Sequence, residues 1–272
     1  MATELVEYVH TCEKAGMFEE MKARAFDHAA KAAELSLEER RLLAISFKAI
    51  VGPLRFSWNS LIDEEKKQEQ LGNDRKRFLV FHEREQVERE ILNLSAEMIG
   101  IVQRLNVSSG EAEGRVVFLK LLGDAQRYKA DIYKYRGERE LGAESVNLAR
   151  EAYDEASVLC RKLDALNVTS LGLAVNFSKF TFEMLHRPRE ACLIAKEVYE
   201  RAALVLGPNS DPPEPVASLV QTLRNNLLLW TTARVFLNCW FCHFISFSER
   251  CCLRRVSLYS EFRNGACREV TT

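Results

Sequence analysis

The sequence lacks several features that would assign it to common functional classes. Its first residues contain neither a basic segment nor an apolar one, so no secretory signal peptide is predicted. The eight cysteines are therefore expected to be reduced thiols. Positive and negative side chains nearly cancel, 38 against 39, which argues against binding of nucleic acid or membranes through bulk charge. We expect a cytoplasmic protein, with the nucleus as a second location.

Long hydrophobic runs and catalytic motifs are also missing. The most apolar stretch, residues 235–247, is shorter than the about 20 residues that a transmembrane helix needs. The chain contains no phosphate-binding loop, no nucleophile–base pair and no dinucleotide fingerprint. We therefore expect a protein that is not an enzyme and that needs neither a cofactor nor a metal.

What the chain does contain is helical periodicity. Apolar residues recur at intervals of three and four along most of it, and alternation with period two is never sustained. We therefore predict an all-α fold. Turn signals separate the helical segments at 72–74, 106–110, Gly137, 167–170, 187–188 and 207–215. Ser170 is predicted to cap the start of one helix, and Pro188 to begin another.

The pair Gly52-Pro53 interrupts a segment that is otherwise predicted to be helical from about residue 37 to residue 70. Proline removes one backbone hydrogen bond and clashes with the preceding turn, at a cost of about 3 kcal/mol in a straight helix. We expect the helix either to bend or to restart there. Lys48 precedes this proline in the chain and Arg55 follows it. Whether the two residues share a helix face therefore depends on whether the helix bends or restarts.

Four pairs of residues, each separated by seven positions, are candidates for a binding site. They are Lys48 with Arg55, Lys120 with Arg127, Asn176 with Glu183, and Leu219 with Asn226. Seven residues are almost two helical turns, so the members of a pair lie on one face, about 10 Å apart. Tyr128 follows Arg127 directly. Cations and amides in such stripes suit a phosphorylated peptide better than a chemical reaction.

Four stretches of the chain resemble signature segments of the 14-3-3 family. They are RLLAISFKAIVG at 41–52 followed by Arg55 and 57–58, VFLK at 117–120 followed by 123–124 and 127–128, LGLAVNFS at 171–178, and LRNNL at 223–227 followed by 229–231. The match runs in order from about Glu4 to Thr232. The resemblance implies a bundle of about nine antiparallel helices forming a concave groove. It also implies a eukaryotic signalling adaptor that forms a dimer. The groove of each subunit is expected to bind a phosphoserine or phosphothreonine peptide.

The same resemblance assigns a role to each candidate residue. The phosphate is expected to bind Lys48, Arg55, Arg127 and Tyr128. The peptide is expected to contact Asn176 and Asn226 through its backbone, Glu183 through nearby side chains, Lys120 on the basic side, and Val175, Leu219 and Trp230 on an apolar wall.

The sequence also departs from the family pattern. Ser218, Thr222 and Val175 stand where the family usually has leucines, so altered partner choice is expected. At the implied dimer seam, Thr11 and Met17 replace a leucine and an arginine, and Gln86 replaces a lysine, which leaves Glu20 without its expected partner. We therefore expect a homodimer or heterodimer with a weakened seam.

The end of the chain departs most. Residues 233–272 contain five of the eight cysteines and carry six arginines against three glutamates. We predict a 14-3-3-like helical domain at 1–232, followed by an atypical tail at 233–272 without an independent fold.

Two other functions remain open from the sequence. One is a helical scaffold that binds peptides without regard to phosphate. The other is a di-iron carboxylate enzyme, because Glu7 with His10 and Glu183 with His186 form two Glu-x-x-His motifs in an all-α chain. That enzyme would need further inward-facing glutamates.

Overall fold

The computed structural model describes residues 2–105, 111–207 and 212–242. Within these residues there are nine α-helices and no strand, which confirms the all-α prediction. The helices are α1 (Ala2–Ala15), α2 (Phe18–Lys31), α3 (Leu37–Gln70), α4 (Asp74–Arg104), α5 (Ala112–Arg136), α6 (Arg139–Cys160), α7 (Val168–Glu183), α8 (Pro188–Leu206) and α9 (Val216–Cys242). The predicted breaks lie at or next to helix ends, although the one at 167–170 extends into the first turn of α7. The break at 106–110 and residues 208–211 of the break at 207–215 lie outside the described residues.

Local side-chain chemistry explains several helix ends. Ser36 and Glu39 form a reciprocal capping box at the start of α3. Gly137 ends α5 with a φ of 77°, a conformation that glycine adopts without a steric penalty. The prediction that Ser170 caps α7 is wrong. Asn167 is the cap, because its side-chain oxygen accepts the Ser170 N–H at 3.0 Å, and Ser170 is buried in the first turn.

Helix α3 is continuous through Pro53, so of the two expected alternatives, a bend or a restart, the restart is excluded. Gly52 and Pro53 are both exposed. Water can therefore bond the carbonyl group that the proline leaves without an intrahelical donor. Because the helix does not restart, Lys48 and Arg55 stay on a common face.

Helix α5 takes part in both hydrophobic cores. One core joins α1 to α4 with one side of α5, and includes Phe118 and Tyr128 from α5. The other core joins a second side of α5 to α6, α7 and α8, and includes Val116 and Leu119. Helix α5 packs against α3, α4, α6 and α7, and it is buried almost all round. The polar side chains that it carries are therefore held in fixed surroundings.

A buried ion cluster fixes α3 and α4 against α5. Glu88 of α4 is fully buried and accepts hydrogen bonds from Trp58 Nε1 at 2.8 Å, Arg84 Nη1 at 2.5 Å and Arg136 Nε at 2.8 Å. Arg84 also donates to Glu65 at 2.7 Å. A buried carboxylate with three donors is satisfied, whereas loss of one partner would leave charge uncompensated. The cluster therefore sets the position of α3 relative to α5.

The chain divides into two compact units, a first one ending at Asn225 and a second one beginning at Asn226. The boundary lies within α9, ahead of the predicted domain boundary after Thr232. The predicted division into 1–232 and 233–272 stays a prediction, and residues 243–272 of the tail lie outside the described residues. Among the helices of the described residues, none has both the length and the hydropathy required to cross a membrane.

Candidate functional site

Helix α3 presents two cations toward α5. Arg55 Nη2 donates to Asp131 Oδ2 at 2.7 Å, and its guanidinium carbon lies 4.5 Å from the centre of the Tyr128 ring. Lys48 makes no ion pair with any residue that the structure describes. Desolvation is the main cause that lowers the pKa of Lys48, and the positive charge of Lys120 adds to it. An anion placed beside Lys48 would therefore relieve an unfavourable charge environment.

Arg127 of α5 is the most buried cation of the site, with 7% of its surface exposed. Its Nε donates to the Tyr153 hydroxyl oxygen at 3.4 Å, and Nη2 lies 3.8 Å from Asp124 Oδ1. Burial opposes its charge, but the neighbouring Tyr153, Tyr128 and Asp124 raise its pKa well above the ordinary value. Arg127 therefore stays charged in spite of its burial.

Tyr128 separates the two arginines. Its ring centre lies 4.7 Å from the guanidinium carbon of Arg127 and 4.5 Å from that of Arg55. The ring also packs 6.0 Å from that of Phe47, centre to centre. Within the described residues, the Tyr128 hydroxyl has no hydrogen-bond partner. The structure thus brings Arg55, Arg127 and Tyr128 together, with Lys48 on the same side of α3.

Asp124 organises the second half of the site. Its Oδ2 accepts from Lys120 Nζ at 2.8 Å, and its Oδ1 accepts from the Tyr153 hydroxyl at 2.5 Å. Asn176 Nδ2 donates to both oxygens, at 2.8 and 3.0 Å. Burial alone would raise the pKa of Asp124, but the charges of Lys120 and Arg127 and the hydrogen bonds outweigh it and lower the pKa. Asp124 is therefore an anion that holds Lys120 and Asn176 in place.

The remaining candidate residues lie on α7 and α9. Val175 and Leu219 are half-buried, and Glu183 is exposed with its carboxylate 4.0 Å from Lys179 Nζ. Asn226 and Trp230 belong to the second unit. Their predicted contacts with a peptide stay predictions.

Three residues of the site were not predicted as site residues: Asp124, which the sequence analysis used only as part of a signature segment, Asp131 and Tyr153. Asp124 and Asp131 each lie three or four positions from an arginine or lysine of α5, which is the spacing of helical ion pairs and was available in the sequence. Tyr153 lies on α6 and reaches the site only through packing. No spacing rule along the chain would have identified it.

The two Glu-x-x-His motifs are not joined into a metal site. His10 lies 3.5 Å from Glu13, and His186 lies 3.4 Å from Lys134 Nζ. In the part of the chain that the structure describes, no group of three or more His, Cys, Asp or Glu residues is placed to hold a metal ion. The geometry gives no support to the di-iron alternative.

The fold and the site together define a helical protein with a cluster of basic side chains, in which a tyrosine ring lies between two arginines. A model of the 14-3-3 protein family matches residues 8–231. The chain is 33% identical to 14-3-3-like protein 2 of Caenorhabditis elegans, over 84% of this chain and 91% of the relative. It is 32% identical to 14-3-3 protein beta/alpha of Xenopus tropicalis, over 85% and 93% respectively. The chain belongs to the 14-3-3 family, as its signature segments predicted.

Proposed function

We propose that this protein binds peptides containing phosphoserine or phosphothreonine, and that it acts as an adaptor that clamps or sequesters phosphorylated partners. The observation that carries the proposal is the convergence of Arg55 and Arg127 on the Tyr128 ring, with Lys48 on the same side of α3. Within the described residues, neither the Tyr128 hydroxyl nor Lys48 is already held by a partner. Membership of the 14-3-3 family supports the same role. We expect the protein to act in the cytoplasm and in the nucleus.

The chemistry of the pocket suits a phosphate dianion. A phosphorylated side chain carries a charge of about −1.5 to −2 near neutral pH, together with three acceptor oxygens. Arginine offers a planar fork of donors that matches those oxygens, and lysine adds a mobile point charge. Each charge-assisted hydrogen bond contributes roughly 1.5–3 kcal/mol. Because a neutral hydroxyl satisfies few of these donors, the pocket should discriminate strongly against the unphosphorylated peptide.

The peptide backbone is proposed to bind beside the phosphate. Asn176 uses its Nδ2 group on Asp124, which leaves its Oδ1 to accept an N–H from an extended ligand. Lys120 would contact the peptide on the basic side of the site, and Val175 and Leu219 would contribute apolar contacts. We further assign Glu183, Asn226 and Trp230 to peptide binding.

We also propose a dimer, either of this chain or with a related one. Thr11, Met17, Glu20 and Gln86, which the family resemblance places at the seam, are all exposed. Exposed ion pairs contribute only about 0–1 kcal/mol each, so the altered seam should weaken rather than abolish association. Analytical ultracentrifugation across a concentration series measures this, and a monomer at every concentration would contradict the dimer.

The decisive experiment compares one phosphoserine peptide with its unphosphorylated twin by fluorescence anisotropy. The test variant is Lys48→Ala, since its removal breaks no ion pair with a described residue. The control is Lys196→Ala, which removes an exposed lysine of α8 and its exposed pair with Glu200. We expect binding of the phosphopeptide alone, a loss of about tenfold or more in Lys48→Ala, and no change in the control. Equal binding of both peptides would instead favour the phosphate-independent scaffold.

A further inference from the structure

Tyr153 of α6 packs against the backbone of α5 at Gly123, a residue that has no side chain. A Cβ atom placed on Gly123 would lie 2.5 Å from Cε1 of the Tyr153 ring, which is closer than real contacts allow. Tyr153 is fully buried, and its ring packs on Phe177 at 5.5 Å and on Phe180 at 5.4 Å between centres. The absence of a side chain at Gly123 thus lets the tyrosine ring approach α5 closely.

This close approach delivers the Tyr153 hydroxyl to the binding site. The hydroxyl donates to Asp124 Oδ1 at 2.5 Å and accepts from Arg127 Nε at 3.4 Å. Asp124 in turn accepts both hydrogen bonds of the Asn176 amide. The only partners of the hydroxyl within the described residues are therefore two side chains of the site.

We propose that Tyr153 is a positioning residue for ligand recognition, which acts through Asp124 to orient the Asn176 amide and the Arg127 guanidinium. The proposal rests on the peptide-binding function proposed above. A carboxylate held by a donor on α6 cannot rotate freely, so the Asn176 oxygen keeps facing away from Asp124 and toward the site. Without the hydroxyl, Asp124 would keep Lys120 and Asn176 as partners, but its Oδ1 would lose the donor that comes from α6.

The surroundings of Tyr153 keep its hydroxyl in the donating form. Burial is the main cause that raises its pKa well above the ordinary value, and the charge of Asp124 adds to it. The phenol is therefore protonated near neutral pH. A phenylalanine would fill the same volume, so the hydroxyl can be tested separately from the ring.

The test variant is Tyr153→Phe, which keeps the ring and its packing. Its control is Thr181→Val, which removes another fully buried hydroxyl, but one that donates only to the Phe177 carbonyl oxygen of its own helix. We expect the phosphopeptide Kd to rise about five- to tenfold in Tyr153→Phe and to stay unchanged in Thr181→Val. In an Asn176→Ala background, Tyr153→Phe should have a clearly smaller effect, because the two residues act together.

A second measurement needs no ligand. The side-chain NH₂ signals of Asn176, followed by NMR, should shift in Tyr153→Phe and stay in place in Thr181→Val. If Tyr153→Phe lowers only the melting temperature, with neither the Kd nor the Asn176 signals changed, the residue is merely structural and the proposal is overturned. If the wild type binds no phosphopeptide, the proposed function fails, while the NMR signals still decide whether Tyr153 positions Asn176.

Discussion

Two aspartates of α5, seven residues apart, hold different parts of the site. Asp124 holds the part with Lys120 and Asn176, and Asp131 holds the part with Arg55. The Asp124 side chain is 7% exposed and serves Lys120, Asn176 and Tyr153 at once. The Asp131 side chain is 21% exposed, and Arg55 is its one ion-pair partner among the described residues. A buried acid with several donors is part of the permanent structure, whereas a partly exposed pair can exchange its partner. We infer that the half of the site around Asp124 is preformed, and that the half around Arg55 can rearrange for the proposed phosphate ligand.

The largest difference between the two aspartates is expected when each carboxylate is removed in turn. Asp124→Ala should lower the free energy of unfolding by about 3–5 kcal/mol, because it leaves buried donors and a buried cation without a partner. Asp131→Ala should lower it by about 1 kcal/mol or less, because water can replace the carboxylate. Urea unfolding of both variants measures the difference. Equal losses would show that the two aspartates are structurally equivalent.

The dependence of stability on pH tests the role of the buried Asp124. The pKa of Asp124 is lower in the folded protein than its ordinary value of 3.8, so the carboxylate stabilises the fold above that value. This contribution should be lost as the pH falls below about 4 and through the folded pKa.

Urea midpoints measured across this acid range should therefore fall less steeply in Asp124→Asn than in the wild type. Thr181→Val, which changes no charge, should keep the slope of the wild type. A wild-type slope retained in Asp124→Asn would contradict the role given to this carboxylate.

The smallest expected effect is a change of phosphopeptide affinity that depends on the pair between Arg55 and Asp131. Asp131→Asn removes the anion that competes with phosphate for Arg55, so phosphopeptide affinity should rise by about two- to fivefold, within the range of an exposed ion pair. Anisotropy with the same peptide measures the change, and Glu155→Gln, which relaxes the exposed pair with Arg115, provides a control away from the site. A weaker affinity in Asp131→Asn would mean that the pair orients Arg55 instead of restraining it.

Much of the fold was predictable because it depends on local patterns. Helical spacing gave the bounds of α3, and the turn signals gave most of the helix ends. The sequence left open whether α3 bends or restarts at Pro53. The helix continues because tertiary packing of a long helix outweighs one missing hydrogen bond when the proline faces water. The prediction for Ser170 failed because an asparagine three positions earlier was the better cap.

The site was predictable only in part, for a different physical reason. Spacing and family resemblance predicted Lys48, Arg55, Arg127 and Tyr128 as phosphate ligands. The structure places Arg55, Arg127 and Tyr128 together, and their binding of phosphate stays a prediction. The contribution of Tyr153 depends on how closely α6 approaches α5, and that distance is set by the missing side chain of Gly123. Such a contact is a property of three-dimensional packing and leaves no periodic signal in the chain.

The position of α5 between two hydrophobic cores has a consequence for cooperativity. An element that belongs to both cores cannot leave one without disturbing the other, and both cores lie in the unit that ends at Asn225. The N-terminal and C-terminal halves of that unit should therefore melt in a single transition. A ligand held by α5 would raise the temperature of that transition for the whole unit, including helices that it never touches.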